Sequence, residues 1–202
     1  VIWEYPPNHY YFERWGSFAT AAQFDHRGEG CSDRIVGAAS IEDRMEDIRV
    51  VMDAVGWERA TIYALNLGGP LACLFAATYP ERTERLILQS SYPRFIRTPG
   101  YDIGVDRAVC DQVWAAWAAA WGTPETPVAP VIAPSQVGYE AYVRWWVRME
   151  RLSSTPHDML AMTALITDVD VRKVLPVIRV PTLVVHARQD LSVPVEHGRY
   201  LA

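Results

Sequence analysis

The stretch from residue 59 to residue 79, RATIYALNLGGPLACLFAATY, constrains the fold of this chain more than any other. It opens with a short apolar run, passes through a glycine-rich corner, and continues with apolar residues at helical spacing. This pattern predicts a strand, a sharp turn and a helix. At the corner, residues 64–68 read ALNLG, with small residues two before and two after Asn66. Small residues there let the strand and the helix approach each other closely.

Asn66 stands where the chain reverses, and we expect it to adopt a positive φ angle. Asn tolerates that region of backbone space better than most side chains. The small-x-Asn-x-Gly spacing is that of a nucleophile elbow, with one substitution at its centre. A serine there would present a hydroxyl, whereas Asn66 presents an amide.

Composition limits the classes of function. The chain has 202 residues, half of them hydrophobic, which is enough for one sizeable core. A net charge of −5 gives no reason to expect a nucleic-acid partner. No apolar run approaches the roughly 20 residues needed to span a bilayer, so no membrane partner is predicted. Three scattered cysteines indicate reduced thiols in a cytoplasmic protein, with neither a metal site nor a cofactor implied.

Strands and helices alternate along the first half of the chain and again at its end. A helix is predicted over 40–55, with Ser40 and Asp43 forming a capping box. Short apolar runs predict strands at 18–24, 60–65, 85–89 and 181–186. Such alternation predicts an α/β fold in which a parallel sheet is covered by helices on both faces.

Two segments depart from this alternation. Near the start, Pro6-Pro7 is expected to forbid a helix across that point, so a helix is predicted over 8–15 with Asn8 as N-cap. Between the third and fourth strands, helices are predicted at 105–121, 137–151 and 155–165, with a Pro-rich, irregular connector after the first. We interpret residues 99–167 as a helical cap on a core of residues 1–98 and 168–202.

Tryptophans mark the predicted cap. Trp114, Trp117 and Trp121 lie on one face of its first helix, and Trp145-Trp146 lies on the next. Such a stripe is more often packing between helices than a ligand pocket, although part of it could line one.

Four segments together resemble the α/β-hydrolase superfamily: FDHRGEGCSD, the corner followed by GGP, FAATYPER, and VPTLVVHARQDLSVP. Longer stretches, such as DAVGWERATIYALNLGGPLACLFAATYPERTERLIL, are similar to one bacterial subfamily. Its members occur alone or N-terminal to class III adenylate/guanylate cyclases. The resemblance implies the α/β-hydrolase fold with a helical cap. Relative to that fold, we expect the chain to be one incomplete domain, truncated at both ends.

The resemblance also implies roles for three residues. Asn66 falls on the nucleophile position, the backbone N–H of Leu67 on an oxyanion donor, and Asp190 on the acid of the triad. The alternative for Asp190 is a loop residue that caps its own turn. The triad histidine is expected beyond Ala202. Of the nearby histidines, His186 is expected to be a satisfied core residue and His197 a surface residue.

These features leave three hypotheses of function. The first is an ester-hydrolase-type domain without ordinary serine-hydrolase activity, which binds a small-molecule ligand and acts in regulation. Losing the nucleophile usually removes orders of magnitude in rate. The second is an active hydrolase of a small ester, for example with Asn66 positioning a water. The third, compatible with the first, is an input module joined to a downstream signalling domain such as a nucleotide cyclase.

Overall fold

A computed structural model of the chain describes residues 2–35 and 39–202. The described residues form two units: a helical unit of residues 2–35 and 112–160, and a sheet unit of residues 39–111 and 161–202. Within these residues, every helix is too short or too polar to cross a membrane. The boundary between core and cap that the sequence suggested stays a prediction.

Eight α-helices and three β-strands are defined within the described residues. They are, in chain order, α1 (Pro6–Gly16), α2 (Ile41–Ala54), β1 (Ala60–Leu65), α3 (Gly68–Thr78), β2 (Thr83–Gln89), α4 (Arg107–Ala119), α5 (Ala129–Ile132), α6 (Glu140–Ser153), α7 (Pro156–Asp168), β3 (Thr182–Val185) and α8 (Val195–Leu201). The predicted capping box of α2 is confirmed, because Ser40 and Asp43 each accept a hydrogen bond from the other's backbone N–H.

The three strands form a parallel sheet in the order β1–β2–β3. Leu65 is in register with Gln89, and Gln89 with Val185, so all three strands end at one edge of the sheet. The segments that follow them therefore begin side by side. In parallel sheets this carboxyl edge is where ligands commonly bind.

Helix α3 covers one face of the sheet. Its small buried residues Ala72, Cys73 and Ala76 pack in one cluster with Ala64 of β1 and the leucines of β2. Small side chains along the helix allow its axis to lie close to the strands. On the other face of the sheet, Leu65, Leu183 and Val185 have 44–56% of their surface exposed.

The corner between β1 and α3 leaves no room for a side chain at Gly69. A Cβ atom added there would lie 1.4 Å from Oγ of Ser91, the second residue after β2. At Gly68 the nearest atom to an added Cβ is the Cβ of Ala64, at an ordinary contact distance of 3.7 Å. The close approach that the sequence predicted at this corner is therefore tightest at Gly69.

The predicted strand at 18–24 is wrong. The structure has no strand or helix over these residues, and Phe18 is 74% exposed. A strand is stable only when a neighbour pairs with its backbone and its side chains bury apolar surface. The three alanines of residues 18–24 bury little apolar surface. Among the described residues, no strand pairs with this segment or with the outer edge of β1.

The predicted start of the first helix is also wrong. Helix α1 begins at Pro6 rather than after the Pro-Pro pair, and its N-cap is Tyr5 rather than Asn8. Proline is compatible with the first turn of a helix, where the missing N–H would have no partner inside the helix. The Pro-rich connector likewise contains a short helix, α5, where an irregular chain was predicted.

A buried carboxylate organises the helical unit. Glu150 of α6 is 1% exposed and accepts hydrogen bonds from the indole N–H groups of Trp117 and Trp146, both at 2.7 Å. The backbone N–H of Gly122 and the hydroxyl of Thr126 also donate to it, at 2.7 and 3.2 Å. Trp117 thus joins α4 to α6, and Trp146 packs in a cluster with Tyr5, Val128 and Ala129, so both tryptophans serve packing in the helical unit.

We expect the substitution Gly69→Ala to lower the free energy of unfolding by about 1–3 kcal/mol, because its methyl group overlaps Ser91. The matched change Gly68→Ala meets only an ordinary contact and should be neutral or stabilising by up to about 1 kcal/mol. Urea denaturation followed by circular dichroism measures both. Adding Ser91→Gly to Gly69→Ala should recover part of the loss, and an equal loss in both single variants would contradict this account of the corner.

Replacing Glu150 with Ala should cost about 3 kcal/mol or more, because two indole N–H groups and a backbone N–H would lose their buried acceptor. Glu150→Gln keeps one acceptor oxygen and should cost less. Glu140→Ala is the control, since this glutamate lies on the same helix with its side chain 84% exposed and should change stability by less than about 0.5 kcal/mol. Denaturation curves in which Glu150→Ala matches Glu140→Ala would show that the buried carboxylate does not stabilise the unit.

Candidate functional site

Asn66 lies at the corner that follows β1, with a φ angle of 50°. Its backbone N–H donates to the carbonyl of Gln89 at 3.0 Å. Its own carbonyl accepts from the N–H of Gly69 at 3.1 Å and from the hydroxyl of Ser91 at 3.2 Å. The corner is therefore fixed to the end of β2 from both sides, and the left-handed conformation of Asn66 is held by its neighbours.

The side chain of Asn66 joins the corner to the loop that follows β3. Its amide Nδ2 donates to Oγ of Ser192 at 2.8 Å. Ser192 lies two residues after Asp190, so the loop carrying Asp190 lies at the same edge of the sheet as Asn66. The structure thus brings together two elements that are far apart in sequence.

Asp190 has its two carboxylate oxygens in different surroundings. Oδ1 accepts from the backbone N–H groups of Ser192 and Val193, at 2.8 and 2.9 Å, which caps the turn. Oδ2 lies 3.7 Å from Nε2 of His186. Oδ1 therefore caps its own turn, as the alternative interpretation of Asp190 predicted. The role of Asp190 as an acid that orients a histidine through Oδ2 stays a prediction.

Leu67 is the N-cap of α3, directly after Asn66. The first N–H groups of a helix have no acceptor within the helix, and the helix dipole places partial positive charge there. This terminus is therefore suited to binding a carbonyl oxygen or an anion. The resemblance implies that the N–H of Leu67 is an oxyanion donor, a role that requires such a position.

Ser90 is a second strained residue at this edge. It follows β2 with a φ angle of 47°, and its N–H donates to the carbonyl of Val185 at 2.8 Å. Asn66 and Ser90 are the two residues other than glycine with positive φ among the described residues, and they follow neighbouring strands. Strained conformations of this kind cluster at functional sites.

His186 and His197 flank the segment that carries Asp190, and the prediction that His197 is on the surface is wrong. His197 is fully buried, because the first turn of α8 directs it between Tyr92 and Tyr101. Burial, and after it the neighbouring His186, lower the pKa of His197 from 6.5 to about 4. Nε2 of His186 forms a hydrogen bond with the carbonyl of Val193. The buried Nδ1 of His186 has no hydrogen-bond partner among the described residues.

Sequence reasoning missed three serines of the site: Ser90, Ser91 and Ser192. The short turn after Asp190 is typical of an aspartate that caps a loop, and this pattern could have directed attention to Ser192. Its hydrogen bond to Asn66 could not have been found locally, because the two residues are 126 positions apart. The positions of Ser90 and Ser91 depend on the close approach of Gly69, which is likewise a tertiary contact.

Chemically, this edge offers donors, a carboxylate and a hydroxyl. Nothing at the corner ionises, because the side chain of Asn66 is an amide. A base cannot activate an amide as a nucleophile in the way that it activates a serine hydroxyl. The start of α3 is chemically suited to a carbonyl oxygen or an anion, and the polar side chains of Asn66, Ser192 and Asp190 lie at the same edge of the sheet.

Two curated relatives are similar over most of this chain. AB hydrolase superfamily protein YisY of Bacillus subtilis is 25% identical over 179 residues, covering 88% of this chain and 66% of that protein. Strigolactone esterase D14 of Arabidopsis thaliana is 25% identical over 162 residues, covering 80% of this chain and 60% of that protein. The chain thus spans slightly less than two thirds of the length of these relatives.

Solved structures share the fold. An esterase from Exiguobacterium antarcticum superposes with a TM-score of 0.72 at 21% identity, covering 88% of this chain and 66% of that structure. The family model described as alpha/beta hydrolase fold matches residues 21–202, which is most of the chain. With the parallel sheet and the strained corner after its first strand, these matches show that the chain belongs to the α/β-hydrolase fold family.

Proposed function

We propose that this chain is an ester-hydrolase-like domain that binds a small acyl ligand and does not hydrolyse it by the usual serine route. The observation that carries the proposal is the amide of Asn66 at the corner, donating to Ser192 where the family's nucleophile would stand. The start of α3 beside this corner supports a binding role, and an amide at this position argues against covalent catalysis.

The chemistry of an amide supports this proposal. Its nitrogen lone pair is delocalised into the carbonyl, and it carries no proton that a histidine could remove at neutral pH. The hydrogen bond to Ser192 also commits one N–H of Asn66 to the protein itself. Asn66 is therefore suited to orienting a bound group rather than to attacking it.

The ligand that suits this edge is a small molecule with a carbonyl or carboxylate group. The N-terminus of α3 attracts the oxygen, while Asn66 and Ser192 offer further polar contacts. The name of the Arabidopsis relative, strigolactone esterase, describes action on an ester, which is a compound of this class.

A second candidate is an active hydrolase of a small ester that works by an unusual route. The observation that favours it is the contact between the Asn66 amide and the Ser192 hydroxyl, with the Asp190 carboxylate two residues away. Such a cluster of polar groups could position a water for attack. This candidate requires hydrolysis that depends on Asn66 without a covalent intermediate.

The resemblance to the cyclase-associated subfamily supports a further proposal, that the domain is an input module of a cytoplasmic signalling protein. Ligand binding at the corner would then change the activity of a domain joined to it. This proposal is tested by measuring cyclase or other output of the complete natural protein with and without a short-chain carboxylate such as butyrate.

In the complete natural protein, we expect p-nitrophenyl acetate to be hydrolysed no faster than by an Asn66→Ala variant, which has no polar group at the corner. Asn66→Ser should raise the rate by about tenfold or more, because one oxyanion donor alone contributes about 3–4 kcal/mol in sites of this type. Asn66→Asp differs from the native residue by one atom type and should also gain activity with substrates that a carboxylate can attack. Spectrophotometric rates under identical conditions give the comparison.

Two results would count against the proposal. If the unmodified protein turns over the ester as fast as Asn66→Ser does, and Asn66→Ala is slower than both, the second candidate takes its place. If Asn66→Ser gains nothing, the corner is not a site from which a nucleophile can act. Asp190→Asn in the Asn66→Ser background is the matched control, and it should remove most of the gain.

A further inference from the structure

Two buried histidines flank the loop that carries Asp190 and Ser192. His186 follows β3, at the start of this loop, and its side chain is 4% exposed. His197 lies in the first turn of α8, at the end of the loop, and is 0% exposed. We call residues 187–194 the Asp190 loop. Its two ends are thus anchored by ionisable groups that the proposed binding site does not use.

The ring of His186 ties both ends of the loop together. Its Nε2 lies 2.8 Å from the carbonyl of Val193, and because a carbonyl can only accept, the proton is on Nε2. Nδ1 of the same ring faces α8 and has no hydrogen-bond partner among the described residues. A Cβ atom added at Gly198 would lie 2.5 Å from this Nδ1, so the ring packs directly on the helix backbone.

His197 anchors α8 from the other side. Its Nδ1 lies 2.8 Å from the hydroxyl of Tyr101, and the ring of Tyr92 meets it edge-on with centroids 5.9 Å apart. Its Nε2 is buried without a hydrogen-bond partner among the described residues. A neutral imidazole is compatible with this pocket, whereas a charged one would hold an uncompensated proton in apolar surroundings.

The groups around the pair do not compensate such a charge. Tyrosines dominate the pocket, and burial raises the pKa of both Tyr92 and Tyr101 above its usual value. Among the described residues, the ionisable and charged groups near the two rings or interacting with these tyrosines are Asp190, Glu196, Cys110, Tyr200, Arg172, Asp170 and Arg94. Glu196 is on the exposed side of α8 and Asp190 is 3.7 Å from His186, so neither reaches the buried Nε2 of His197 within hydrogen-bond distance.

We infer that His186 and His197 form a proton-sensitive clasp that holds the Asp190 loop against the corner of Asn66. The clasp is closed while the imidazole of His197 is neutral and opens when His197 takes up a proton. Opening withdraws Ser192 from Asn66 and moves Asp190 away from the edge of the sheet. The inference deepens the proposed function, since this loop is one side of the proposed binding site, but it can be tested without any ligand.

The direction of the pH dependence is set by which state of the Asp190 loop, closed or open, allows His197 to bind a proton more tightly. In the closed state the pKa of His197 is about 4, whereas in an open, solvated loop it returns towards 6.5. The closed state is therefore fully favoured above about pH 6.5, loses stability as the pH falls from there to about 4, and loses no more below that.

Amide hydrogen exchange measured by NMR tests the clasp in the natural protein. We expect the protection factors of the Ser192 and Val193 amides, which both donate to Asp190, to fall about twentyfold between about pH 7 and about pH 5. The amides of β2 should change by less than about twofold over the same range, because they do not depend on α8. Protection factors are corrected for the intrinsic pH dependence of exchange.

The variant His197→Gln removes the titrating group and keeps a polar atom for the Tyr101 hydroxyl, so the fall should disappear. His157→Gln is the matched control, since this histidine is exposed on α7 and its loss should leave the fall unchanged. Equal loss of protection in β2 and in the loop would mean global unfolding and would overturn the clasp. A loop that keeps constant protection, or a fall that persists in His197→Gln, would overturn it too.

A second measurement keeps the test decisive if His197→Gln fails to fold. The imidazole C–H resonance of His197 in the unmodified protein should titrate with a midpoint below about pH 5. A midpoint above about pH 6 would mean that the pocket accepts a charged histidine, and the clasp would then be wrong. Failure of the clasp would leave the ester assays at Asn66 unaffected, because those are made at neutral pH.

Discussion

The structure of the sheet unit depends on one close contact, the approach of Gly69 to Ser91. Because there is no side chain at Gly69, the start of α3 lies directly on the chain that leaves β2. This approach lets the Ser91 hydroxyl reach the carbonyl of Asn66 and keeps Asn66 in its left-handed conformation. Asn66 then presents its side chain at the edge where the strands end.

The candidate site combines a rigid half with an adjustable one. The corner at Asn66 is fixed by its backbone hydrogen bond to Gln89 at the end of β2 and by the hydrogen bond from the Ser91 hydroxyl, neither of which involves a titratable group. Within the described part of the chain, the Asp190 loop is joined to this corner by the hydrogen bond between Asn66 and Ser192, and a histidine lies at each of its ends. A binding domain that responds to its surroundings needs both a part that keeps its conformation and a segment that opens and closes at a small cost in free energy.

Local patterns predicted much of the fold and part of the site. The strands at 60–65, 85–89 and 181–186 lie within about two residues of those observed, because each is an apolar run ended by turn-forming residues. The strand at 18–24 failed because a strand requires a partner, which no local pattern contains. Asn66 was identified from its corner and Asp190 from a resemblance. Ser192 and the burial of His197 depend on contacts between distant segments, and no spacing in the sequence encodes them.

The distribution of tryptophan across the two units has a consequence for spectroscopy. Of the eight tryptophans, only Trp57 lies in the sheet unit, while the other seven, at positions 3, 15, 114, 117, 121, 145 and 146, lie in the helical unit. Intrinsic fluorescence therefore reports almost entirely on the helical unit, with two of its indoles hydrogen-bonded to Glu150. Tryptophan emission therefore changes little when the strained corner or the Asp190 loop changes conformation. A single melting temperature taken from emission describes the whole chain only where an independent probe of the sheet gives the same curve.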